Sequence, residues 1–506
     1  MREFALNTEF CFTRHCQDRK LSNVDMDFNV ETLSTGMLLS RKNSTIVKAD
    51  RENYTAHLIG DIYNLSILKS TLGKIEGNVW ALNDAEVLCL LREKLGDSAI
   101  SLAEGDFCLF IEHYNDAIEI ITESRGLNLI SVVKAEQLWI TNSLKIVGSL
   151  EGQHAFDFCP EQEIIYDSLK ADSFSPIRNV TKLKPGTINK IIHDEQNYPY
   201  IESKQLTAST ETSVLTLQES TLYHLIDMDL RYSISRLVDN NESIGIPLSG
   251  GLDSSLVTAL ACQYFKKVKT WSIGTELSNE FEFSQIVSDV LGTEHEVKIL
   301  SEDEIIAGVV KAIYHNEIFD GLSSEIQSGL FNVYELAQGK VNSLLTGYGS
   351  DLLFGGILNP TEYYQNPNSI LSEQVYRTKW TGEFSTHGSK SYGLNVYHPF
   401  WSNNLISLCH NLDPKFKIRE NEVKNILREY TDSLSLIPKE IVWRKKIGIH
   451  EGSSVNKSFA NIIGTSVNNY QEKTLFSYAV YKEFLTGRLT IDEASPAKLR
   501  EIIKRN

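Results

Sequence analysis

The chain has 506 residues, enough for about two to four domains with buried cores, which excludes a peptide or a small disulfide-stapled protein. Hydrophobic residues make up 42% and charged residues 23%, and proline is scarce at 11, a composition typical of globular proteins rather than long disordered tracts. The 49 Lys and Arg residues against 66 Asp and Glu residues give a net charge of -17, which argues against nucleic acid and anionic lipid as main partners.

No stretch approaches the ~20 apolar residues of a membrane helix, and the amino-terminal residues carry charges where a signal peptide needs an apolar core. We therefore expect a cytoplasmic protein with no membrane partner. The cysteines are odd in number and contain no C-x-x-C pair, which fits neither a disulfide framework nor a zinc site. We expect most of them to be buried and reduced. They are Cys11, Cys16, Cys89, Cys108, Cys159, Cys262 and Cys409.

The first part of the chain predicts short strands separated by Asn, Asp and Gly turns. A helix is predicted at 84–96. This pattern indicates a layered α+β domain with packed antiparallel sheets. The Thr- and Ser-rich stretch 206–216 is typical of a linker, so we predict domains at 1–205 and 206–506. The predicted strands lie at 56–64, 106–114, 117–124 and 137–143.

Beyond residue 243, short apolar strands alternate with segments of helix length. Such alternation predicts a doubly wound α/β domain with a parallel sheet. Ligands of these sheets bind at the carboxyl ends of the strands, so the loops after Leu248, Gly274 and Gly347 should line a site. The predicted strands lie at 243–248, 268–274, 295–300 and 341–347.

A glycine- and serine-rich loop follows the first of these strands and precedes a helix-like segment. Two glycines allow close approach of an anion, the hydroxyls donate hydrogen bonds, and a helix start offers unpaired N–H groups, which together suit a polyphosphate. The alternative is an ordinary Gly-rich turn, and the kinase-type loop G-x-x-x-x-G-K-[ST] is absent. The loop residues are Ser249, Gly250, Gly251, Leu252, Asp253, Ser254 and Ser255.

This S-G-G-x-D-S-S loop resembles the pyrophosphatase loop of enzymes that cleave ATP between the α and β phosphates to make acyl-adenylates. The resemblance implies Asp253 as a Mg²⁺ ligand. The segment 346–356 resembles a metal-binding segment of asparagine synthetases, in which Asp351 matches the second metal-binding aspartate. Tyr348 and Leu352 stand where those enzymes have Glu, so we do not expect their ammonia-handling site.

Three amino-terminal segments, GDIYN, AEGDFCLFI and KLKPGT, resemble class II glutaminase domains of the Ntn type. Active glutaminases use an amino-terminal Cys as nucleophile, whereas residue 2 here is Arg, and Cys11 and Cys16 lie inside the chain. Ile59 also replaces the Asn that helps form the oxyanion hole of those enzymes. We therefore predict that 1–205 is an inactive glutaminase-like scaffold.

Together these features resemble the β-lactam synthetases of the asparagine synthetase class B-like family. Segments such as IPLSGGLDSSLVTALA and IVWRKKIGIHEGSSVN look most like the carbapenam-forming members. The resemblance implies carboxymethylproline as substrate and carbapenam-3-carboxylate as product, with ATP as cosubstrate, Mg²⁺ as cofactor, and homo-oligomerisation.

The resemblance also assigns roles in ring closure. It implies a Tyr348–Glu383 dyad that takes the proton of the attacking amine, because a tyrosine has a reference pKa of ≈ 10, near that of an alkyl amine. It implies Lys446 as the cation that stabilises the oxyanion, although Lys445 and Arg444 are adjacent. For each residue the alternative is structural: a packed tyrosine, a surface acid and a solvated charge run.

Further contacts follow from the same resemblance. Lys424 falls at the phosphate-contacting lysine of the family, the alternative being a helix-surface lysine. Adenine is expected against the main chain near Ile246 and Leu248 and beside Ser272, since apolar strand ends suit a purine. Gly347 would allow nucleotide and substrate to approach the main chain closely.

Other features leave alternatives open. The segment 448–454 is either a lid over the adenylate or a plain surface loop. Arg377 is either a clamp for a substrate carboxylate or, more commonly for such a position, a helix-face residue. His315 and His450 show no ligand spacing and are interpreted as structural.

Three other functions compete with the carbapenam-forming one. Another β-lactam synthetase would act on a different β-amino acid and is separated by the substrate that triggers pyrophosphate release. An asparagine synthetase-like amidotransferase would hydrolyse glutamine, and Arg2 and Ile59 argue against it. A non-catalytic nucleotide sensor would bind ATP without releasing pyrophosphate.

Overall fold

We describe the protein from a computed structural model. The described residues are 9–14, 28–41, 44, 46–161, 165, 175–193, 199–207, 214–445 and 448–505. Within these ranges no helix has the length and apolar character that crossing a bilayer requires.

Two six-stranded antiparallel sheets form the first part of the chain. One contains β1 (Phe10–Thr13), β2 (Phe28–Thr32), β3 (Met37–Arg41), β8 (Ser131–Lys134), β9 (Leu138–Thr141) and β10 (Val180–Lys182), in the order β10-β8-β9-β1-β3-β2. The other contains β4 (Ile46–Asp50), β5 (Tyr54–Ile59), β6 (Cys108–His113), β7 (Ile118–Thr122), β11 (Thr187–His193) and β12 (Pro199–Gln205), in the order β12-β11-β7-β6-β5-β4. The four predicted strands are present, and the α+β prediction is confirmed.

The two sheets pack face to face through alternating apolar side chains. Phe12 and Phe110 meet in this layer with ring centroids 4.7 Å apart. On the outer face of the second sheet lie α1 (Leu65–Leu72) and α2 (Asp84–Leu95), and α3 (Leu144–Glu151) follows β9. Helix α2 begins where predicted because Asn83 and Glu86 form a reciprocal capping box, each side chain binding the other's main-chain N–H.

A five-stranded parallel sheet forms the centre of the second part. Its strands are β13 (Ser243–Pro247), β14 (Lys267–Thr275), β15 (Glu294–Leu300), β16 (Ser343–Leu345) and β17 (Asn395–Tyr397), in the order β15-β14-β13-β16-β17. All four pairings are parallel, so the doubly wound α/β prediction is confirmed. β17 was not predicted. A small hairpin, β18 (Ile418–Arg419) and β19 (Glu422–Val423), completes the strands described here.

Helices connect and cover this sheet. They are α4 (Glu219–Ser235), α5 (Leu252–Ala261), α6 (Phe281–Leu291), α7 (Glu302–Asn316), α8 (Gly321–Ala337), α9 (Ser350–Phe354), α10 (Pro367–Thr378), α11 (His387–Ser391), α12 (Asn403–Asn411), α13 (Asn425–Leu434), α14 (Lys439–Val442), α15 (Ile449–Gly452), α16 (Val455–Ile463), α17 (Tyr470–Leu485) and α18 (Pro496–Arg505). The strands β13 and β16 lie side by side, and each is followed by one of the two motifs singled out in the sequence.

Buried polar contacts join the two parts of the chain. Lys390 is 4% exposed and lies 3.1 Å from Asp61 and 2.7 Å from Asp106. The indole N–H of Trp401 donates to the main-chain oxygen of Arg125 at 2.9 Å. A buried cation thus lies between two carboxylates of the other part at this interface, and the scaffold role of residues 1–205 stays a prediction.

Candidate active site

The predicted phosphate loop lies at the carboxyl end of β13, at the start of α5. The hydroxyl oxygens of Ser249 and Ser254 are 3.0 Å apart across the loop. Gly250 has a φ of +70°, and a Cβ there would lie 2.5 Å from the main-chain N of Ser284. Only glycine fits this left-handed, crowded position. The loop therefore brings main-chain N–H groups and hydroxyls together at a helix start, as a polyphosphate site requires.

Asp253, Asp351 and Lys424 come together beside this loop. Lys424 is 1% exposed, and its ammonium lies 2.6 Å from Asp253 Oδ2 and 2.6 Å from Asp351 Oδ1. It also donates to the hydroxyl of Ser350 at 3.0 Å. The two carboxylates therefore share one cation already, although 98 residues separate them in the sequence. The helix-surface alternative for Lys424 is wrong, because its side chain is buried between the two acids.

Two glycines make room for this cluster. A Cβ on Gly356 would collide with the Asp351 carboxylate and the Lys424 side chain. A Cβ on Gly347 would lie 2.7 Å from the main-chain N of Ser254 and 2.9 Å from Asp253. The segments after β13 and β16 are thus in direct contact, and the glycines allow that contact.

Replacing Gly347 by Ala is expected to raise the KM for ATP and to lower the free energy of unfolding by about 1 to 3 kcal/mol, because the added Cβ displaces the phosphate loop. Steady-state kinetics and thermal unfolding measure both effects. Gly77→Ala is the matched control, since nothing lies within 4 Å of a Cβ at that position. An unchanged KM and stability in Gly347→Ala would contradict the contact.

The donors present fit a Mg²⁺ ion. Asp253 Oδ1 is buried and has no hydrogen-bond partner among the described residues, so it is open to a ligand. Carboxylate oxygens are the hard donors that Mg²⁺ prefers, usually one or two of them together with substrate phosphates. Within the described ranges no group of three or more His, Cys, Asp and Glu side chains converges on a metal position. A cation here would therefore complete its coordination with phosphate oxygens and water.

Tyr348 lies directly after Gly347 and interacts with Glu383. The side chain is partly buried, its ring contacts Phe384 with centroids 5.4 Å apart, and its buried hydroxyl makes no hydrogen bond of ordinary geometry within the described chain. Burial, and secondly the charge of Glu383, raise the pKa of Tyr348 well above its usual value. Burial also raises the pKa of Glu383 to about 7. Glu383 is therefore not the solvated surface acid of its structural alternative. Tyr348 is packed, as its own structural alternative expects, but among the described residues its hydroxyl lacks the hydrogen bond that this alternative includes.

Helix α8 positions the carboxylate of this pair, a feature that the sequence analysis missed. The Ser323 hydroxyl donates to Glu383 Oε2 at 2.8 Å, and the Gln327 amide donates to the main-chain oxygen of Glu383 at 2.6 Å. Arg377, in the last turn of α10, lies 3.6 Å from Asp320 Oδ2. Its charge opposes part of the rise that burial causes in the pKa of Glu383. The spacing of 60 residues between Ser323 and Glu383 gave no sequence signal for this contact.

A cleft beside the carboxyl ends of β13 and β14 lies where adenine was predicted. Leu248, Ser272 and Ser453 are among its lining residues. The Ser272 hydroxyl donates to the main-chain oxygen of Leu248. The Ile246 side chain is fully buried in the core, which leaves only its main chain for a purine. The adenine contacts stay a prediction.

Lys446 lies outside the described residues, so its proposed position at the oxyanion stays a prediction. The neighbouring Arg444 is engaged elsewhere: its guanidinium pairs with Glu280 and lies 3.7 Å from the centre of the Phe283 ring. Lys445 is exposed. Arg444 therefore has a structural role beside the phosphate loop. Of the three adjacent basic residues, Lys445 and Lys446 remain as candidates for the cation that stabilises the oxyanion.

The segment 448–454 contains α15 and the residues that follow it. Ser453 is 4% exposed and Ser454 is fully buried, and Ser453 lines the cleft of the preceding paragraphs. The plain surface loop is therefore wrong for this end of the segment, and a lid role stays a prediction. His450 approaches Glu325 at 4.0 Å, and Glu325 pairs with the buried Lys473.

His315 has the structural role that was predicted for it. It stacks on Phe331 with ring centroids 5.8 Å apart, and burial lowers its pKa to about 3, so it stays neutral at physiological pH. A second buried histidine, His398, was not predicted. Its Nδ1 lies 2.6 Å from the Thr346 hydroxyl, and its ring packs near Tyr348. It supports the segment that carries Tyr348.

Comparison with known families agrees with the arrangement of these motifs. The family described as asparagine synthase matches residues 226–385 and 386–496, which together are more than half of the chain. The chain belongs to the asparagine synthase family. A second family, described as carbapenam-3-carboxylate synthase, N-terminal, matches residues 8–206 of this asparagine synthase family member. The predicted resemblance to β-lactam and asparagine synthetases is confirmed.

Two relatives cover most of the chain. The carboxyethyl-arginine beta-lactam-synthase of Streptomyces clavuligerus is 25% identical over 410 residues, 81% of this chain and 76% of that protein. The glutamine-hydrolyzing asparagine synthetase of Gallus gallus is 25% identical over 447 residues, 84% of this chain and 76% of that protein. Membership of the asparagine synthase family, with these relatives, supports ATP-dependent amide formation as the class of chemistry.

A solved structure is similar at lower identity. It is a glutamine phosphoribosylpyrophosphate amidotransferase from B. subtilis complexed with ADP and GMP, with 10% identity, a TM-score of 0.28, and coverage of 58% of this chain and 90% of that one. At this TM-score the likeness carries no argument.

Proposed function

We propose that the protein is an ATP- and Mg²⁺-dependent ligase that closes a β-lactam ring within its substrate through an acyl-adenylate. In this proposal carboxymethylproline becomes carbapenam-3-carboxylate, and AMP and pyrophosphate are released. The observation that carries the proposal is the interacting Tyr348–Glu383 pair, which lies near Asp351 of the aspartate cluster and offers a proton acceptor for an amine. The match of residues 8–206 to the carbapenam-3-carboxylate synthase family supports the choice of substrate.

The first step activates the substrate. A carboxylate oxygen of the substrate attacks the α phosphorus of ATP, and the bond to the β phosphate breaks. The hydroxyls of Ser249 and Ser254 and the N–H groups at the start of α5 bind the departing pyrophosphate. Asp253 and Asp351 would hold Mg²⁺, which supplies positive charge to the triphosphate when bound. Lys424 would then turn from the carboxylates towards phosphate oxygens.

The second step closes the ring. The amine nitrogen of the same molecule attacks the acyl carbon, and AMP leaves. The neutral Tyr348 hydroxyl accepts the amine proton while giving its own proton to Glu383, so one proton ends on the carboxylate. Glu383 suits this task because a pKa near 7 leaves it ionised enough to accept a proton. Lys446 would stabilise the oxyanion on the acyl carbon.

The direct experiment incubates the purified protein with ATP, Mg²⁺ and carboxymethylproline. We expect AMP and pyrophosphate in equal amounts and a product that has lost one water from the substrate, detected by mass spectrometry. Parallel reactions contain aspartate with glutamine, aspartate with ammonia, or carboxyethyl-arginine. Pyrophosphate release with aspartate or carboxyethyl-arginine only would contradict the proposed substrate, and release with none of them would contradict the ligase proposal.

Two alternatives are tested by the same panel. Another β-lactam synthetase activity is favoured by the similarity to the carboxyethyl-arginine beta-lactam-synthase. A glutamine-dependent amidotransferase would need a free amino-terminal Cys, whereas Cys11 lies within β1, fully buried and paired to β3 and β9. We also propose that the protein self-associates, which light scattering of the purified chain tests.

Replacing Asp351 by Asn is expected to raise the Mg²⁺ concentration for half-maximal turnover by about tenfold, because an amide removes one negative charge from the cation site. Pyrophosphate release is measured across a Mg²⁺ titration at saturating ATP. Asp432→Asn, which changes a partly exposed acid paired with Lys439, is the control. An unchanged Mg²⁺ dependence in Asp351→Asn would remove Asp351 from the cation site.

A further inference from the structure

An apolar cavity of about 280 Å³ lies between α9, α10 and α12. Its walls are mainly aliphatic, from Leu352, Leu353, Leu371, Val375 and Ile406. It shares no lining residue with the cleft beside the phosphate loop. Its volume is close to the ~300 Å³ at the lower end of small-molecule sites, so it would take a small ligand.

Two lysines bring positive charge to this cavity. Lys417 is 1% exposed, and its ammonium donates to Asn368 Oδ1 at 2.7 Å and to the main-chain oxygen of Cys409 at 2.5 Å. Both acceptors are neutral, and one of the three ammonium protons is left over. Lys379 also lines the cavity. Neither lysine forms an ion pair with a carboxylate in the part of the chain that the structure describes.

A buried ammonium without a counterion is costly. Burial accordingly lowers the pKa of both Lys379 and Lys417 to about 8. The more distant charges of Glu123 and Arg125 act on Lys379 in opposite directions. On Lys417 the opposing influence comes from the thiol of Cys409.

His410 is a third basic residue that lines this cavity and is affected by the charges of the two lysines. The pKa of His410, which also lines the cavity, is lowered by burial and by the charges of both lysines. Its Nδ1 lies 2.5 Å from the hydroxyl of Ser372, another lining residue. The cavity thus combines apolar walls with the side chains of two lysines and the imidazole of His410, and its described lining residues include no carboxylate.

We propose that this cavity is a second ligand site, separate from the phosphate loop, that binds a small carboxylate with an apolar body. The aliphatic walls contact the body, and the ammonium groups of Lys379 and Lys417 pair with the carboxylate. Leu352 supplies apolar surface to one wall of the cavity.

The test measures binding of octanoate to the full chain by calorimetry at pH 7, with octanol and octylamine as probes of matched length. We expect octanoate to bind about tenfold more tightly than either, because only it pairs with the lysines. Its affinity should fall as the pH rises from about 7 to about 9, where the ammonium groups lose their protons. Saturating ATP and Mg²⁺ should leave octanoate binding in place.

Two variants test whether octanoate binds in this cavity. Lys379→Met and Lys417→Met, which keep side-chain length but remove the charge, should each weaken octanoate binding by about tenfold or more. Lys415→Met is the matched control, because the Lys415 side chain is 52% exposed and pairs with Asp413 outside the cavity. The comparison of octanoate with octanol on the unmodified chain needs no variant, so a poorly folded Lys417→Met does not weaken the test.

The outcomes separate this proposal from the proposed ligase function, because none of these measurements uses turnover. Equal affinity for octanoate and octanol, displacement of octanoate by ATP, or unchanged binding in Lys379→Met would overturn the second site. Absence of octanoate binding would overturn it as well. Pyrophosphate release with carboxymethylproline could succeed or fail without changing any of these readings.

Discussion

Replacing Lys424 by Met is expected to reduce pyrophosphate release by about 10²- to 10³-fold, the loss typical of removing one electrostatic stabiliser. The ammonium now lies 2.6 Å from a carboxylate oxygen of both Asp253 and Asp351. Without it, the two acids face each other without a shared cation, and the departing pyrophosphate loses a positive partner. Methionine keeps the length of the side chain, so the change tests charge rather than volume.

The same variant should show a second effect that turnover cannot reveal. In the absence of nucleotide, Mg²⁺ should raise the melting temperature of Lys424→Met more than that of the unmodified protein, because the cation fills the place of the ammonium. Lys439→Met is the control, since the Lys439 side chain is 79% exposed. Turnover within threefold of normal, or no difference in the response to Mg²⁺, would contradict the shared-cation role.

The backbone at Lys424 has an unusual conformation. Its φ of +60° is left-handed, a conformation that costs a non-glycine residue about 1 to 3 kcal/mol. Glycine would relieve that strain, yet a lysine stands there, with its main-chain N–H donating to the oxygen of Phe354 at 3.1 Å. In this conformation the side chain reaches both aspartates.

The predicted part of the fold followed from local patterns, because the predicted strands and the phosphate loop carry their signal within a few residues. β13 and its glycine-rich loop were predicted from one segment, and the parallel sheet from its alternation with helices. Other strands were missed, among them β17. The residues of the candidate site were predicted from the resemblance to a family. From residue type alone, each of them could equally have had a structural role.

The remaining features depend on contacts that cross long stretches of sequence. Ser323 holds Glu383 from α8, and Lys424 meets Asp253 across 171 residues. No periodicity marks such pairs, since each partner is a common residue type in its own segment. The cavity that Leu352 lines also depends on distant contacts. The sequence showed a departure from the family at position 352, but the cavity forms only where α9 packs against α10 and α12.

Replacing Tyr348 by Phe is expected to slow ring closure by about 10²- to 10⁴-fold, the range for general acid–base catalysis, while leaving adenylation active. The phenyl ring keeps the contact with Phe384 but cannot relay a proton. Exchange of labelled pyrophosphate into ATP, which needs only the first step, should stay within a few-fold of normal. Tyr478→Phe is the matched control, because Tyr478 is buried and its hydroxyl bonds to Pro176, away from the site.

Glu383→Gln tests the other half of the pair through its pH dependence. Burial raises the pKa of Glu383 to about 7, and only the ionised carboxylate accepts a proton, so ring closure in the unmodified protein should fall as the pH drops below about 7 and level off above it. Glutamine has no proton to gain or lose in this range, so the variant should be slow at every pH and lack that limb. The Ser323 hydroxyl can still donate to the amide oxygen, which preserves the local structure. Two results would show that the pair binds substrate rather than moves its proton. One is a Glu383→Gln protein whose ring closure still slows below about pH 7. The other is a Tyr348→Phe protein in which pyrophosphate exchange and ring closure fall by the same factor.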